Sequence, residues 1–178
     1  GNDNSVMESD KTVGQLINKG LMPYRVATQK IDSDTPIIVA GIPIDVGALQ
    51  LSLCQAGENV DVIEGYWHWY DLSENSCQGI SEGSSGSPVF DTNNNIVGLL
   101  NTTTRTAIGS TCYIGNPCVI DGQGAHIRKD RNYVVPVEGL QQCFDQDGHF
   151  SLSSKGCMLQ KPDHLTISDY PYVFSGEN

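Results

Sequence analysis

The sequence predicts an all-β fold, an antiparallel barrel or sandwich. Helical periodicity is scarce, whereas apolar runs of strand length recur between turns along most of the chain. Turn-forming residues are also frequent, with 19 glycines and 8 prolines among 178 residues. Short strands at this spacing are typical of small barrels and sandwiches, which sets the expected architecture.

The predicted strands alternate polar and apolar residues or run continuously apolar. They cover residues 36–44, 49–56, 59–72, 87–91, 95–103 and 132–137. Asp91 to Asn95 predicts a hairpin turn, because Asp and Asn tolerate left-handed geometry. Helical patterns occur only at residues 11–22 and 136–144, the second with proline at its start. Residues 145–178 show little period and are interpreted as an extension packed on the barrel or leading to another module.

Composition and charge exclude several function classes. The formal net charge of -11 argues against nucleic-acid binding, which requires a basic surface. It favours basic substrates or, more simply, a solvated acidic surface. No apolar run approaches the roughly 20 residues of a membrane-spanning helix. The first residues also lack a signal-peptide pattern, so a secreted or periplasmic protein would be represented here in a mature or trimmed form.

The cysteine pattern predicts disulfides and an oxidising compartment. The chain has six cysteines and no Cys-x-x-Cys, so a zinc or redox site has little support. We expect pairing between neighbours in sequence, since the turn between Cys112 and Cys118 could bring these two together; free buried thiols are the alternative. The cysteines concerned are Cys54, Cys77, Cys112, Cys118, Cys143 and Cys157.

Two serine motifs overlap in the segment Gly79-Ile-Ser-Glu-Gly-Ser-Ser-Gly-Ser-Pro88. The first, Gly79 to Gly83, fits the nucleophile elbow of α/β-hydrolases, which requires a helix after the serine. The Gly/Ser/Pro run after Ser81 cannot propagate a helix, so this interpretation is rejected. The second, Gly83 to Pro88, places Ser85 in a tight glycine turn followed by a strand–turn–strand.

This second motif resembles the G-x-S-G-[GS]-P turn of the trypsin/chymotrypsin-like serine peptidases, with the bacterial members closest in pattern. Residues 35–43 and 132–140 are similar to the first and last strands of that family's second barrel, so the resemblance covers residues 3–144. It implies a chymotrypsin-like antiparallel β-barrel with a short C-terminal helix. Residues 1–35 would end the first barrel and form the linker, residues 36–144 would form the second barrel, and residues 145–178 the extension.

The resemblance also implies roles for individual residues. Ser85 would be the nucleophile, and the N–H groups of Gly83 and Ser85 would form the oxyanion hole. The base of the substrate pocket would be Gly79, and its walls would be Ile80, Ser81, Asn101, Thr102 and Thr103. None of these carries a charge and Thr103 would narrow the pocket, so we expect small or medium uncharged side chains at the P1 position of the substrate.

The general base of the family is missing from this chain. Only His68 precedes Ser85, and it lies in a predicted strand between two tryptophans, where a structural residue is expected. Asp3, in the segment Asn2-Asp-Asn-Ser-Val-Met, is similar to the catalytic aspartate of the family, although Asn4 departs from the pattern and a disordered terminus is the alternative. We therefore expect the histidine to come from an N-terminal half outside this chain, separate or cleaved off.

These patterns predict a secreted serine endopeptidase that hydrolyses protein or peptide substrates through an acyl-enzyme on Ser85, without a metal or organic cofactor. The 178-residue chain alone is expected to be inactive. The alternative is a peptidase-like binding module that has lost its base.

Overall fold

The computed structural model describes residues 7, 9–104, 111–159 and 161–166, and the fold is mostly antiparallel β-sheet. The all-β prediction is therefore confirmed. In these residues the strands are β1 (Arg25–Val26), β2 (Pro36–Gly41), β3 (Gln50–Glu64), β4 (Trp67–Asn75), β5 (Pro88–Asp91), β6 (Asn95–Thr104), β7 (Cys118–Asp121), β8 (Gly124–His126), β9 (Arg131–Pro136) and β10 (Asp163–His164). A short helix, α1 (Val13–Ile17), precedes them, and a 3₁₀ turn (Gln141–Cys143) follows β9.

Six of the strands close into a ring in the order β2-β3-β4-β9-β6-β5, every neighbouring pair antiparallel. The β7–β8 hairpin extends β3, β10 pairs with the start of β4, and β1 lies parallel to β6. Closure leaves no free edge within the ring itself. The ring therefore fixes the position of the turn between β4 and β5, which contains Ser85.

The strand boundaries in the first half of the barrel differ from the prediction. Residues 49–72 were expected to form two strands broken near residue 57, but β3 runs unbroken to Glu64 and turns at Gly65 into β4. Register shifts between β3 and β4 show that bulges absorb the irregular sequence there. Gly57 fits because a side chain would meet the Glu74 carbonyl of β4 at 2.9 Å.

The predicted C-terminal helix is wrong. Pro136 belongs to β9, and residues 136–144 contain only the three-residue 3₁₀ turn. Gly139 packs so closely on the backbone of Met158 that its Cβ position lies 2.8 Å from that residue's carbonyl carbon. The helix predicted at residues 11–22 does form, but only as α1, which Thr12 and Gln15 begin with a capping box.

The interior of the barrel is built from inward-facing aliphatic residues of the ring strands. One cluster, which includes Ile37, Val39, Val89 and Leu100, lies behind the β4–β5 turn. A second surrounds Tyr133 and Trp69, and a third contains Cys112 and Leu165. The first cluster therefore provides a rigid support for the candidate site.

Three disulfides join the cysteines in sequence order, which confirms the expected pairing of neighbours. They are Cys54–Cys77, Cys112–Cys118 and Cys143–Cys157. The first links β3 to the segment that leads into the β4–β5 turn. The third ties the 3₁₀ turn to the extension, whose Leu165 is buried and whose β10 pairs with β4. None of the described helices has the length and apolar character of a membrane span.

Candidate active site

Ser85 lies near the middle of a tight turn formed by residues 81–87. Two successive hydrogen bonds shape this turn, from the Ser84 N–H to the Ser81 carbonyl and from the Ser87 N–H to the Ser84 carbonyl, each 3.0 Å long. Two more attach it to β6 through Leu100: the Gly86 N–H donates to the Leu100 carbonyl at 2.7 Å, and the Leu100 N–H donates to the Ser87 carbonyl at 2.9 Å. The backbone around Ser85 is thus fixed on both sides.

The two glycines of the turn have left-handed backbone conformations. Gly83 has φ +90° and Gly86 has φ +78°, a region that L-residues rarely adopt. A Cβ atom at Gly83 would also lie 3.0 Å from the Ile44 nitrogen and 3.2 Å from the Ile42 carbonyl oxygen. The Gly-x-Ser-Gly pattern is therefore a requirement of this backbone.

Ser85 is an exposed residue, and its hydroxyl donates a hydrogen bond of 3.3 Å to the Asn101 carbonyl on β6. Among the described residues, no acceptor takes the N–H of Gly83 or of Ser85. An exposed serine with two uncommitted backbone donors on the same turn can support acyl transfer chemically, since such donors stabilise the oxyanion that forms after attack.

Asn101, whose backbone carbonyl accepts the Ser85 hydroxyl, has a buried side-chain amide. Its side chain is almost fully buried, and its Nδ2 finds no acceptor in the described part of the chain. A buried donor without an acceptor costs about 1–3 kcal/mol, so such groups mark places where a partner belongs. This signal was not visible in the sequence, because it arises from the register of β6 against the turn.

None of the four histidines, all of them described, makes a hydrogen bond to Ser85. His126 faces Asp121 at 3.5 Å, His149 contacts Asp145, and the ring of His164 stacks on Tyr66. His68 is buried beside Tyr70, and burial lowers its pKa although the charges of Asp61 and Asp163 oppose this shift. The described part of the chain therefore supplies no imidazole base to Ser85.

Asp3, the candidate catalytic aspartate, lies outside the described residues. A cluster of possible metal ligands lies at the surface, formed by Asp145, Asp147 and His149. Each offers one potential ligand atom, and these atoms lie within 4.8 Å of one another. The Asp145 carboxylate already accepts the N–H groups of Asp147 and His149, and these bonds lower its pKa. It serves as a turn-forming side chain of the extension.

A pocket of about 200 Å³ lies beside the turn. Three of the expected wall residues line it, namely Gly79, Ile80 and Thr103. The pocket was expected to be neutral. The exposed residue Asp130 also lines it, so one carboxylate is present. Asp130 precedes β9 and is far from the motif in sequence, so the local pattern could not reveal it. The full lining of the pocket is Cys77, Gln78, Gly79, Ile80, Thr103, Thr104, Asp130 and Asn132.

The three other residues expected in the pocket walls have different surroundings. Ser81 is buried and donates to the Asp45 carboxylate at 2.7 Å. The Thr102 hydroxyl donates to the Glu64 carboxylate at 2.9 Å, and the Asn101 carbonyl accepts the Ser85 hydroxyl. A larger pocket of about 550 Å³, lined by residues such as Arg25 and Gln141, contains none of the predicted site residues.

No protein-family model matches this sequence, and no curated protein is significantly similar to it. The resemblance to the peptidase family therefore rests on the sequence motifs alone.

Proposed function

We propose that this chain is the C-terminal portion of a secreted serine endopeptidase of the trypsin/chymotrypsin-like type, and that the six-stranded ring is the second barrel of that fold. One observation carries the proposal: the hydroxyl of the exposed residue Ser85 shares its glycine turn with the uncommitted N–H groups of Gly83 and Ser85. The disulfides support the localisation, because such bonds persist in oxidising compartments.

In this mechanism the Ser85 Oγ attacks the carbonyl carbon of the scissile peptide bond while its proton passes to an imidazole supplied from outside this chain. The negative charge on the carbonyl oxygen is stabilised by the Gly83 and Ser85 N–H groups. The imidazolium then protonates the leaving amine, and an acyl-enzyme ester on Ser85 remains. Water hydrolyses this ester in a second addition that the same imidazole assists.

Asn101 has a supporting role in the proposal. Its buried Nδ2 would donate to the carboxylate that orients the imidazole, and Asp3 is the candidate for that carboxylate in this chain. A carboxylate satisfies the buried donor and holds the histidine in the tautomer that accepts the serine proton. Asn101 is therefore a positioning residue.

The alternative is a peptidase-like module that binds peptides without cleaving them. The absence of a histidine contact to Ser85 among the described residues favours this second function. The two functions share the turn and the pocket, and they differ only in whether a base reaches Ser85.

The deciding experiment compares wild type with Ser85→Ala in the complete protein, including any segment encoded upstream of Gly1. A peptidase should lose several orders of magnitude in kcat with the alanine, because one member of the triad is removed. A fluorophosphonate probe should label the complete protein at Ser85 and label the 178-residue chain poorly. Full hydrolysis by Ser85→Ala would contradict the proposal, and an unlabelled, inactive complete protein would favour the binding module.

A further inference from the structure

The loop that follows β2 is a compact turn that presents an acidic residue. We call residues 42–47 the β2 loop. Two backbone N–H groups in it, those of Val46 and Gly47, donate to the Pro43 carbonyl at 3.1 and 2.8 Å. Gly47 closes the turn with φ +64°, a left-handed conformation that glycine adopts readily. Asp45 is an exposed residue, but the closed turn gives it a defined backbone position.

Two hydrogen bonds join the β2 loop to the turn of residues 81–87, which we call the serine turn. The Ser81 hydroxyl donates to the Asp45 carboxylate at 2.7 Å, and the Ile44 N–H donates to the Glu82 carbonyl at 2.8 Å. Ser81 is only 1% exposed. A hydrogen bond to a carboxylate is roughly twice as strong as one between neutral groups. Both bonds therefore hold the two residues that directly precede the first uncommitted N–H group of the turn.

The bond to the Glu82 carbonyl determines where the Gly83 N–H points. These two groups belong to one peptide unit, and in a planar trans peptide the carbonyl and the N–H point in opposite directions. Because the Ile44 N–H holds the carbonyl, the peptide unit directs its N–H away from the β2 loop. Gly83 cannot fix this direction itself, since glycine has many other backbone conformations open to it. The contacts of the neighbouring residues must therefore do so.

The two bonds between the β2 loop and the serine turn are coupled. Ile44 and Asp45 are neighbours in sequence, as are Ser81 and Glu82, so the bonds form a two-point contact between two short segments. Removal of the Asp45 carboxylate would leave the buried Ser81 hydroxyl without this acceptor, which is unfavourable and shifts the segment toward other conformations. The bond from the Ile44 N–H would weaken with it.

We propose that Asp45 is a positioning residue for the oxyanion site. Its carboxylate holds the Ser81 hydroxyl, which keeps the β2 loop on the serine turn, and the loop orients the Gly83 N–H through the Ile44 bond to Glu82. The inference rests on the proposed function and adds a residue that the serine motif does not contain. It also gives Ser81 a different role from the pocket wall that was expected for it.

Hydrogen exchange in the 178-residue chain measures whether Asp45 orders the loop. The Ile44 amide should exchange about tenfold faster or more in Asp45→Ala and in Ser81→Ala, because a hydrogen bond to a charged group contributes at least that factor. Asp45→Asn keeps an acceptor oxygen and should restore most of the protection. Glu58→Ala is the matched control, since it also removes an exposed carboxylate but lies on β3, outside this contact. The Leu100 N–H, which donates to the other end of the serine turn, should stay protected in every variant.

Kinetics of the complete protein, including any segment encoded upstream of Gly1, measure the consequence for catalysis. Asp45→Ala and Ser81→Ala should each lower kcat about tenfold with KM nearly unchanged, because an oxyanion contact acts in the transition state rather than on the bound substrate. Fluorophosphonate labelling of Ser85 should slow by the same factor. The double variant should be no slower than either single variant, since both remove the same bond. Asp45→Asn should recover most of the rate, and Glu58→Ala should leave it unchanged.

Unchanged exchange of the Ile44 amide in Asp45→Ala would overturn the proposal. A raised KM with kcat intact would also overturn it and would assign the β2 loop to substrate binding. Equal losses in Asp45→Asn and Asp45→Ala would show that the charge acts rather than the hydrogen bond, and faster exchange without any loss of kcat would confine Asp45 to a structural role. If the complete wild type is neither active nor labelled, the peptidase proposal fails, and the exchange result alone then decides whether Asp45 orders the serine turn.

Discussion

At the scale of single residues, Gly83 offers a direct test of the turn. Its φ of +90° costs an L-residue roughly 1–2 kcal/mol, and its Cβ position lies 3.0 Å from the Ile44 nitrogen. Gly115 has a similar φ of +83° with no atom within 4 Å of its Cβ position. We therefore expect Gly83→Ala to lower the free energy of unfolding, measured by urea denaturation, more than Gly115→Ala does. Equal losses would show that the backbone near Ile44 yields freely.

The same residues show which parts of the site can be predicted from sequence. The tight turn around Ser85 could be predicted, because such a turn imposes its glycines within a few positions of the serine. Asn101 and Asp130 acquire their roles only when β6 and β9 pair, so no local pattern announces the buried amide or the pocket carboxylate. The predicted walls Ser81 and Thr102 instead donate hydrogen bonds to Asp45 and Glu64.

At the scale of elements, the Cys54–Cys77 disulfide anchors the segment between β4 and the turn. It spans 23 residues, whereas Cys112–Cys118 spans six. In the chain-entropy account, the longer loop restricts the unfolded chain by about 1 kcal/mol more. Replacing Cys54 and Cys77 with alanine should thus lower the free energy of unfolding more than replacing Cys112 and Cys118, as measured in urea. A larger loss from the short loop would show that local packing outweighs loop entropy.

The strands of the ring were predictable where apolar runs of strand length lie between turn residues, as in β5 and β6. β3 and the segment 136–144 could not be predicted, because contacts between residues distant in sequence determine their structure. β3 passes residue 57 unbroken because Gly57 lets the β4 backbone approach, and bulges keep the pairing. The expected helix at 136–144 is replaced by strand and a 3₁₀ turn, since β9 continues through Pro136 and the Cys143–Cys157 bond holds the extension close.

At the scale of the whole molecule, the ring of strands carries the exposed Ser85, the N–H groups of Gly83 and Ser85 without acceptors, and the pocket lined by Gly79 and Thr103. None of the four histidines makes a hydrogen bond to Ser85 in the described part of the chain, so the proposed function requires a base from elsewhere. Under the proposed function, the pocket described here would determine which substrates fit, and the base would determine whether they react.

Asp130 provides a test of the proposed substrate pocket. Asp130 is exposed and lines the pocket with Gly79 and Thr103, so under the proposed function a basic P1 side chain would gain an attraction that an uncharged one would not. Exposed charge pairs contribute about 0.2–1 kcal/mol, so Asp130→Asn should lower kcat/KM for Lys at P1 relative to Ala by up to about fivefold. Asp147→Asn, an exposed carboxylate of the extension, should leave this ratio unchanged. The measurement uses matched peptide substrates and the complete enzyme, at low and at high salt. A ratio unaffected by Asp130→Asn, or equal effects of the two variants, would show that this pocket does not receive the P1 side chain.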